Sequence, residues 1–188
     1  MEQKRYELID AVLGASASRC WGDAVLEWCV AGCDEDEECG GVCVCGHEGL
    51  RYLYEIRNPT THAGLYPIGS RCIGLFRRRE LDLEASNLKR LTRLMGEAAR
   101  LGRGRLVDIK SGFYSRALID CLRERGAFGE DPPRGRNRDY ATLRRLFGAR
   151  GLDGRRHALA MEIIGSCVYP WMRGYWRQTR EARRRLLA

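Results

Sequence analysis

The rhythm of apolar positions changes along this chain. In KRYELIDAVL, residues 4–13, Tyr6, Ile9, Ala11, Val12 and Leu13 recur at roughly helical spacing, and Gly14 supplies a stop. A linker, ASASRCWGD, leads to AVLEWCV, whose apolar run is compatible with a strand. LRYLYEIRN alternates, with Tyr52, Tyr54 and Ile56 on one face and Leu53 and Glu55 on the other. PTTHAG is turn chemistry between Pro59 and Gly64, and LYPIG is a second short strand whose Pro67 suits a sheet edge. Cys72 then opens CIGLFRRR, which reads as the first turn of a helix.

Beyond Phe76 the period becomes helical. In RELDLEASNLKRLTRLMGEAARLG, Leu81, Ala85, Leu88, Leu91, Met95 and Ala98 form a stripe that Gly102 and Gly104 end. SGFYSRALIDCLRERG is a further helix, with Phe113, Ala117, Leu118, Cys121 and Leu122 inward and Gly126 at its stop. EDPPRGRNR reads as a loop, after which Asp139 is expected to cap the short helix YATLRRLFGAR. The closing segment begins as a helix that Pro170 must kink or interrupt. The fold class expected is α+β: a small antiparallel β-hairpin module followed by a mainly helical half.

Charge sharpens this division. Residues 1–76 hold 6 Lys+Arg against 12 Asp+Glu, a net of −6; residues 77–188 hold 27 against 13, a net of +14. A boundary just after Phe76 is therefore expected, separating residues 1–76 from a basic helical domain of residues 77–188. No apolar run approaches the roughly 18–20 residues that span a bilayer, and MEQKRYELID lacks the apolar centre of a signal peptide. The expected location is cytoplasmic, with no membrane partner.

Nine cysteines are many for a compartment that keeps thiols reduced, and a cluster there reads as metal ligands rather than disulfides. Cys29, Cys33, Cys39, Cys43, Cys45 and Cys72 fall in one region. Cys121 and Cys167, on apolar helical faces, read as core residues. Zinc takes four tetrahedral sulfur or nitrogen ligands, commonly from a tight turn and a second element. Cys43-Val44-Cys45-Gly46 offers the turn. The hairpin can return Cys72 beside it, at a helix start where thiolate is favoured, with Gly69 and Ser70 making the bend and the N-cap. One structural zinc is expected, in a treble-clef-like or ribbon-like module held by Cys43, Cys45 and Cys72. His47 and Cys39 compete equally for the fourth position, ahead of Cys33, Cys29 and His62.

The segments Cys43-x-Cys45-Gly46-His47, Tyr52-Leu53-Tyr54-x-Ile56-x-Asn58 and Pro67-Ile68-Gly69-Ser70-x-Cys72-Ile73 resemble a small zinc-binding module of uncharacterised bacteriophage and mobile-element proteins. SGFYSRALIDCLRERGAF and AMEIIGSCVYPW resemble helical segments that accompany it. The resemblance implies a metal-bearing protein of mobile-element origin, whose host cytoplasm would be its location, and it implies no activity.

No motif argues for catalysis. The three histidines are His47, His62 and His157; two lie in the metal region and His157 reads as a helix-surface residue. There is no Walker loop, no His-Glu-x-x-His and no nucleophile elbow, and His47-Glu48 lacks the zinc-deaminase signature. A non-enzymatic protein is expected. Its first expected partner is DNA or RNA, contacted through Arg77, Arg78, Arg79, Arg103, Arg105, Arg134, Arg136, Arg138, Arg144, Arg145, Arg173 and Arg177, with Arg155, Arg156, Arg183, Arg184 and Arg185 adding to the basic clusters. Trp171, Tyr175 and Trp176 could stack on bases, although a core role for both tryptophans is the preferred reading. The alternative partner is a host nucleic-acid-handling protein, inhibited by docking of the acidic run Asp34 to Glu38. The plainer reading of that run is a solvated loop.

Overall fold

The computed structural model describes residues 2–102, 104–129, 136–148 and 152–186. Contacts divide the chain into two compact units, residues 1–92 and 93–188. The charge boundary at Phe76 thus falls 16 residues before the packing boundary, which cuts through a helix.

The first unit begins with α1 (Glu2–Gly14). Its inward face is Leu8 and Val12, while Tyr6, expected on that face, is exposed. The indole N–H of buried Trp28 donates to the Ser16 hydroxyl at 2.9 Å, which donates to the Val12 carbonyl at 2.7 Å. This relay satisfies the polar atom of a large buried ring and ties down the end of α1.

AVLE, expected in a strand, is helical. It forms α2 (Trp21–Ala24) and a 3-10 turn, Val25–Glu27. The strand starts later: β1 (Cys29–Glu35) runs into the acidic stretch and pairs antiparallel with β2 (Tyr52–Arg57). β2 pairs antiparallel with β3 (Gly64–Ile68), giving a three-stranded sheet in the order β1-β2-β3. Pro67 does sit on an edge strand. A short apolar run cannot by periodicity alone distinguish strand from helix, which is why AVLE misled.

The turn between β2 and β3 is organised by Asn58, whose side-chain oxygen accepts from the amides of Thr60 and Thr61 at 2.9 and 3.2 Å. Its side-chain amide donates to Glu27 at 2.6 Å. Glu27 also accepts from the Ala17 and Ser18 amides, and these two, followed by Asn58, hold its carboxyl below the usual range. Glu55, on the face opposite Tyr54 and Ile56, is buried and paired with Arg57 Nε at 2.6 Å.

α3 (Ser70–Gly74) follows β3, with Gly69 rather than Ser70 as its N-cap residue. It does not continue into the next helix. Arg77 takes a left-handed backbone, φ 52°, and α4 (Arg79–Leu101) starts afresh. The first part of α4 covers the edge of β1: Glu84 accepts from the Val30 amide at 3.0 Å and Thr92 donates to the Cys33 carbonyl at 2.8 Å.

The second unit takes the rest of α4, then α5 (Arg116–Glu124), α6 (Arg136–Gly148), α7 (Gly154–Ile163), a π-helical turn (Ile164–Val168) and α8 (Tyr169–Leu186). Leu94 is buried where Met95 was expected. In α5, Leu118, Ile119, Cys121 and Leu122 are buried, but Ala117 is exposed and Phe113 precedes the helix. Ser115 caps α5, its hydroxyl accepting from the Leu118 amide at 3.1 Å. Asp139 does not precede the helix: α6 already starts at Arg136, so Asp139 lies within its first turn. Pro170 is the second residue of α8, and the α-helical ladder expected to be kinked or interrupted by it gives way to a π turn just before it. The π turn directly before it widens the backbone where a proline ring would collide with the carbonyl four residues earlier. Among the described residues, no helix is long and apolar enough to cross a membrane.

Candidate metal centre

Residues 41–50 form a small loop closed by an antiparallel bridge between Gly41 and Leu50. The Cys43 amide donates to the His47 carbonyl at 2.8 Å, and the Gly46 amide to the Cys43 carbonyl at 2.7 Å. Gly46 takes φ +73°, a left-handed conformation that glycine adopts without a side-chain penalty. Gly41 is fixed by space: a Cβ there would collide with Leu53 Cδ2 and sit 3.1 Å from the Leu50 carbonyl oxygen. The loop is anchored to its surroundings by the Val44 amide on the Pro67 carbonyl at 2.9 Å and by Lys4 Nζ on the Gly46 carbonyl at 3.1 Å.

β3 and α3 return Cys72 to this turn. Cys72 Sγ lies 3.4 Å from Cys45 Sγ and 3.6 Å from Cys43 Sγ, and the three sulfurs lie within 4.8 Å of one another. All three cysteines are buried and none forms a disulfide. A tetrahedral ion with metal–sulfur bonds of about 2.3 Å sets its sulfurs about 3.8 Å apart, whereas a disulfide needs about 2.05 Å. The spacing therefore fits chelation. Around the turn, the burial pattern has one more feature. From Asp36 to Leu50, Cys43 and Cys45 are the only buried side chains.

The electrostatics agree with a cation. The Cys72 thiol donating toward Cys43, aided by the amides of Cys45 and Gly69, outweighs burial and pulls Cys43 down to about 5. The Gly69 amide reaches that sulfur at 3.3 Å. The same contact with Cys43, followed by burial, pushes the Cys72 thiol up. Without a positive ion one sulfur is charged while its neighbour holds a proton; an ion allows every ligand to be thiolate.

The three cysteines border a cleft of about 540 Å³ that His47 also lines, with Lys4, Arg5, Arg51 and Arg71 among its cationic walls. His47 and Cys39 are both exposed, and neither belongs to the three-sulfur cluster. Cys39 takes a left-handed backbone, φ 56°, and its sulfur contacts the Glu37 carbonyl at 3.9 Å. Cys29 is exposed on β1, Cys33 is buried in the sheet, and His62 lies in the β2–β3 turn.

The expected arginine contacts separate into classes. Arg78 is half-buried, and one of its guanidinium nitrogens donates to the carbonyls of Val25, Leu26 and Trp28 at 3.0, 3.4 and 2.7 Å. It closes the 3-10 turn, a role the sequence did not reveal. Arg144 pairs with Asp120 at 2.6 Å, and Tyr140 donates to the same carboxylate at 2.7 Å. Arg77, Arg79, Arg105, Arg138, Arg145, Arg173 and Arg177 are exposed and form no ion pair with a described carboxylate. Arg156 pairs with Asp153 at 3.6 Å, while Arg155 is exposed. Arg103 and Arg134 lie outside the described residues, as do the side chains of Arg136, Arg183, Arg184 and Arg185.

Three further expectations change. Cys121 is buried as expected, but Cys167 is only half-buried, its sulfur 3.7 Å from an Asp139 carboxylate oxygen. Trp171 stacks on Tyr175 with ring centres 4.9 Å apart, and its indole donates to the Arg125 carbonyl at 3.0 Å. Trp176, expected in the core, is 41% exposed. His157 is more than a surface residue, since its ring lies 2.9 Å from the Asp108 carboxylate.

No protein-family model matches this chain, and neither a curated protein nor a solved structure matches it.

Proposed function

We propose that this chain is a zinc-stabilised, non-enzymatic nucleic-acid-binding protein of phage or mobile-element origin, acting in the host cytoplasm and contacting DNA or RNA phosphates through arginines of its helical unit. One observation carries the reading. Arg138 and Arg145 stand one heptad apart on α6, flanking a shallow concavity with Ala141 and Thr142, and Arg173 and Arg177 stand one turn apart on α8. All four are exposed and free of described carboxylate partners. Guanidinium groups held on helix faces without internal counter-ions are suited to phosphate. Arg78 and Arg144, engaged within the protein, leave the set of contacts.

The zinc is structural in this reading, held by Cys43, Cys45 and Cys72. His47 is its fourth ligand, because it lines the cleft beside the sulfurs and its carbonyl is already tied to the Cys43 amide. Cys39 has neither feature. Replacing zinc by cobalt reports the donors directly: His47→Ala shifts the cobalt absorption spectrum, while Cys39→Ala leaves it unchanged.

The competing reading, a protein inhibitor that presents Asp34 to Glu38 as phosphate mimicry, loses much of its surface. Glu35 is paired with Arg51 at 2.9 Å, Asp34 accepts from Tyr66 at 3.3 Å, and Asp36 accepts from the amides of Glu38 and Gly40 at 3.1 and 2.9 Å. Fluorescence anisotropy with labelled DNA and RNA tests the main reading. Binding should weaken as salt rises, and substitution of Arg138 and Arg145 together by alanine should reduce the slope of log K against log salt by about 2. Absence of binding at low salt, or binding indifferent to salt, defeats it.

A further inference from the structure

The cleft beside the three cysteines has a second property, unrelated to sulfur. Lys4, Arg5, Arg51 and Arg71 line it, brought together from α1, the approach to β2 and α3. They are four of the six Lys and Arg in residues 1–76, a stretch with twelve Asp and Glu, yet no described acid lines the cleft. We infer that this cleft binds a phosphate ester, its phosphate on Arg5 and Arg71 beside Lys4 and its organic part against Leu50 and Leu75. The inference goes beyond the nucleic-acid reading above and does not depend on it, because every residue named lies in the first unit.

Three observations converge. The first is segregation. Acids outnumber bases two to one in this stretch, so a concavity lined by bases alone departs from the surface around it, and it focuses a positive potential. Glu7, which approaches the loop at Gly46, and Glu48, within that loop, are not part of the wall. The second is availability. All four cations are exposed, and none of them donates to a cysteine sulfur. Arg51 is committed to Glu35 at 2.9 Å, and Lys4 spends one of its three donors on the Gly46 carbonyl. Neither the Arg5 nor the Arg71 guanidinium forms a hydrogen bond or ion pair with a described residue. The third is shape. A volume of about 540 Å³ is that of a small-ligand cleft and exceeds a bare phosphate group, while Leu50 and the 37% exposed Leu75 supply an apolar wall. Guanidinium forks match phosphate oxygens two at a time. The cysteines are buried and the cations exposed, so the anion is taken on the solvent side, away from the sulfurs.

Two sources supply such a group, a free phosphate ester such as a nucleotide and a nucleic-acid strand, and the test separates them. Amide signals of the freshly reduced full chain are followed by NMR during addition of adenosine monophosphate, adenosine or a short oligothymidylate. The monophosphate or the strand should shift Arg5, Gly49 and Arg71 to saturation, and adenosine should not. Arg5→Ala and Arg71→Ala should each weaken that binding about tenfold, the scale of one charge-assisted hydrogen bond. Arg19→Ala, which removes the same charge from an exposed position outside the cleft, should leave it unchanged. Saturation by the monophosphate alone assigns the cleft to free esters, and saturation by the strand assigns it to backbone phosphate. An equal response to adenosine, equal weakening by Arg19→Ala, or no saturable shift with either phosphate probe overturns the site. Failure of the two readings is distinguishable. Strand affinity that falls with Arg138→Ala and Arg145→Ala but ignores Arg5→Ala and Arg71→Ala, with the monophosphate inert, removes the cleft alone. Monophosphate bound at the cleft of a protein that binds no strand removes the nucleic-acid reading alone.

Discussion

The two units solve the problem of order by different chemistry. The helical unit relies on apolar packing: Leu118, Ile119, Leu122, Phe128, Leu143, Ile164 and Val168 are all buried, and caps such as Ser115 and Asp153 close its helices. The sheet unit has a comparable core under its strands, with Trp28, Ile56 and Ile68 fully enclosed. Its loop from Asp36 to Leu50, however, encloses nothing but two cysteines. Fifteen residues with no apolar anchor cannot offset the entropy of being fixed, at roughly 1–2 kcal/mol per residue for the backbone. The buried Cys43, Cys45 and Cys72 could hold a metal ion, and chelation by them would supply what packing lacks there. The difference teaches where to look for function: a metal held by the cysteines would serve order in the first unit, while Arg138, Arg145, Arg173 and Arg177 stand exposed on helices of the other.

The strongest way to break this contrast is to remove the metal. Cys72→Ser, or a strong chelator added to wild-type protein, should cost the sheet unit up to about 10 kcal/mol, the scale of structural zinc in small domains. Metal analysis should fall from one zinc per chain toward none, with the circular dichroism of the helices largely preserved. A ratio near zero in freshly reduced wild-type protein would defeat the zinc reading outright. The converse substitution is Leu118→Ala. It opens a cavity in the fully buried centre of the helical unit and should cost about 2–5 kcal/mol by thermal or urea melting, with zinc content unchanged.

Arg78→Ala sharpens the contrast from within the first unit. Its loss strands the carbonyls of Val25, Leu26 and Trp28, and about 1–3 kcal/mol of stability should go with it. Nucleic-acid affinity should not change, which separates this arginine from Arg173 and Arg177. The smallest effect belongs to Asp108. The Lys110 amide first, then the His157 ring, hold its carboxyl below the ordinary value. A lowered folded pKa means that the unfolded chain binds more protons as pH falls. The contribution is therefore full above the ordinary carboxylate pKa of about 3.9 and is lost as pH drops through the lowered one. Asp108→Asn should remove that small contribution at neutral pH and flatten the acid limb of the stability profile, leaving stability below the lowered pKa nearly unchanged.

Much of this was legible in the residues, and the gaps have physical causes. The Cys43, Cys45 and Cys72 cluster followed from spacing, because a tight turn and a return hairpin constrain where sulfurs can meet. β2, β3 and α4 followed from periodicity. Trp21 to Glu27 did not, since a short apolar run carries no decisive period. The carbonyl clamp of Arg78 depends on partners about 50 residues away, so no local pattern announces it, and alternation along β2 does not tell that both its faces are covered at Glu55. The proline predicts a kink or interruption near residue 170, but not its form, a π turn made by the residues before it. A core role was the preferred reading for both tryptophans; Trp171 is half-buried, with its ring stacked on Tyr175 and its indole bonded to a carbonyl, whereas Trp176 is 41% exposed.

The central claim is that a metal orders the sheet unit while the helical unit stands without it. Hydrogen exchange read by mass spectrometry, with and without chelator, addresses it directly. The expected result is loss of protection from residues 36 to 50 and from α3 on chelation, with α5, α7 and the π turn unchanged. Equal loss in both units, or no loss around Cys43 and Cys45, would contradict the account.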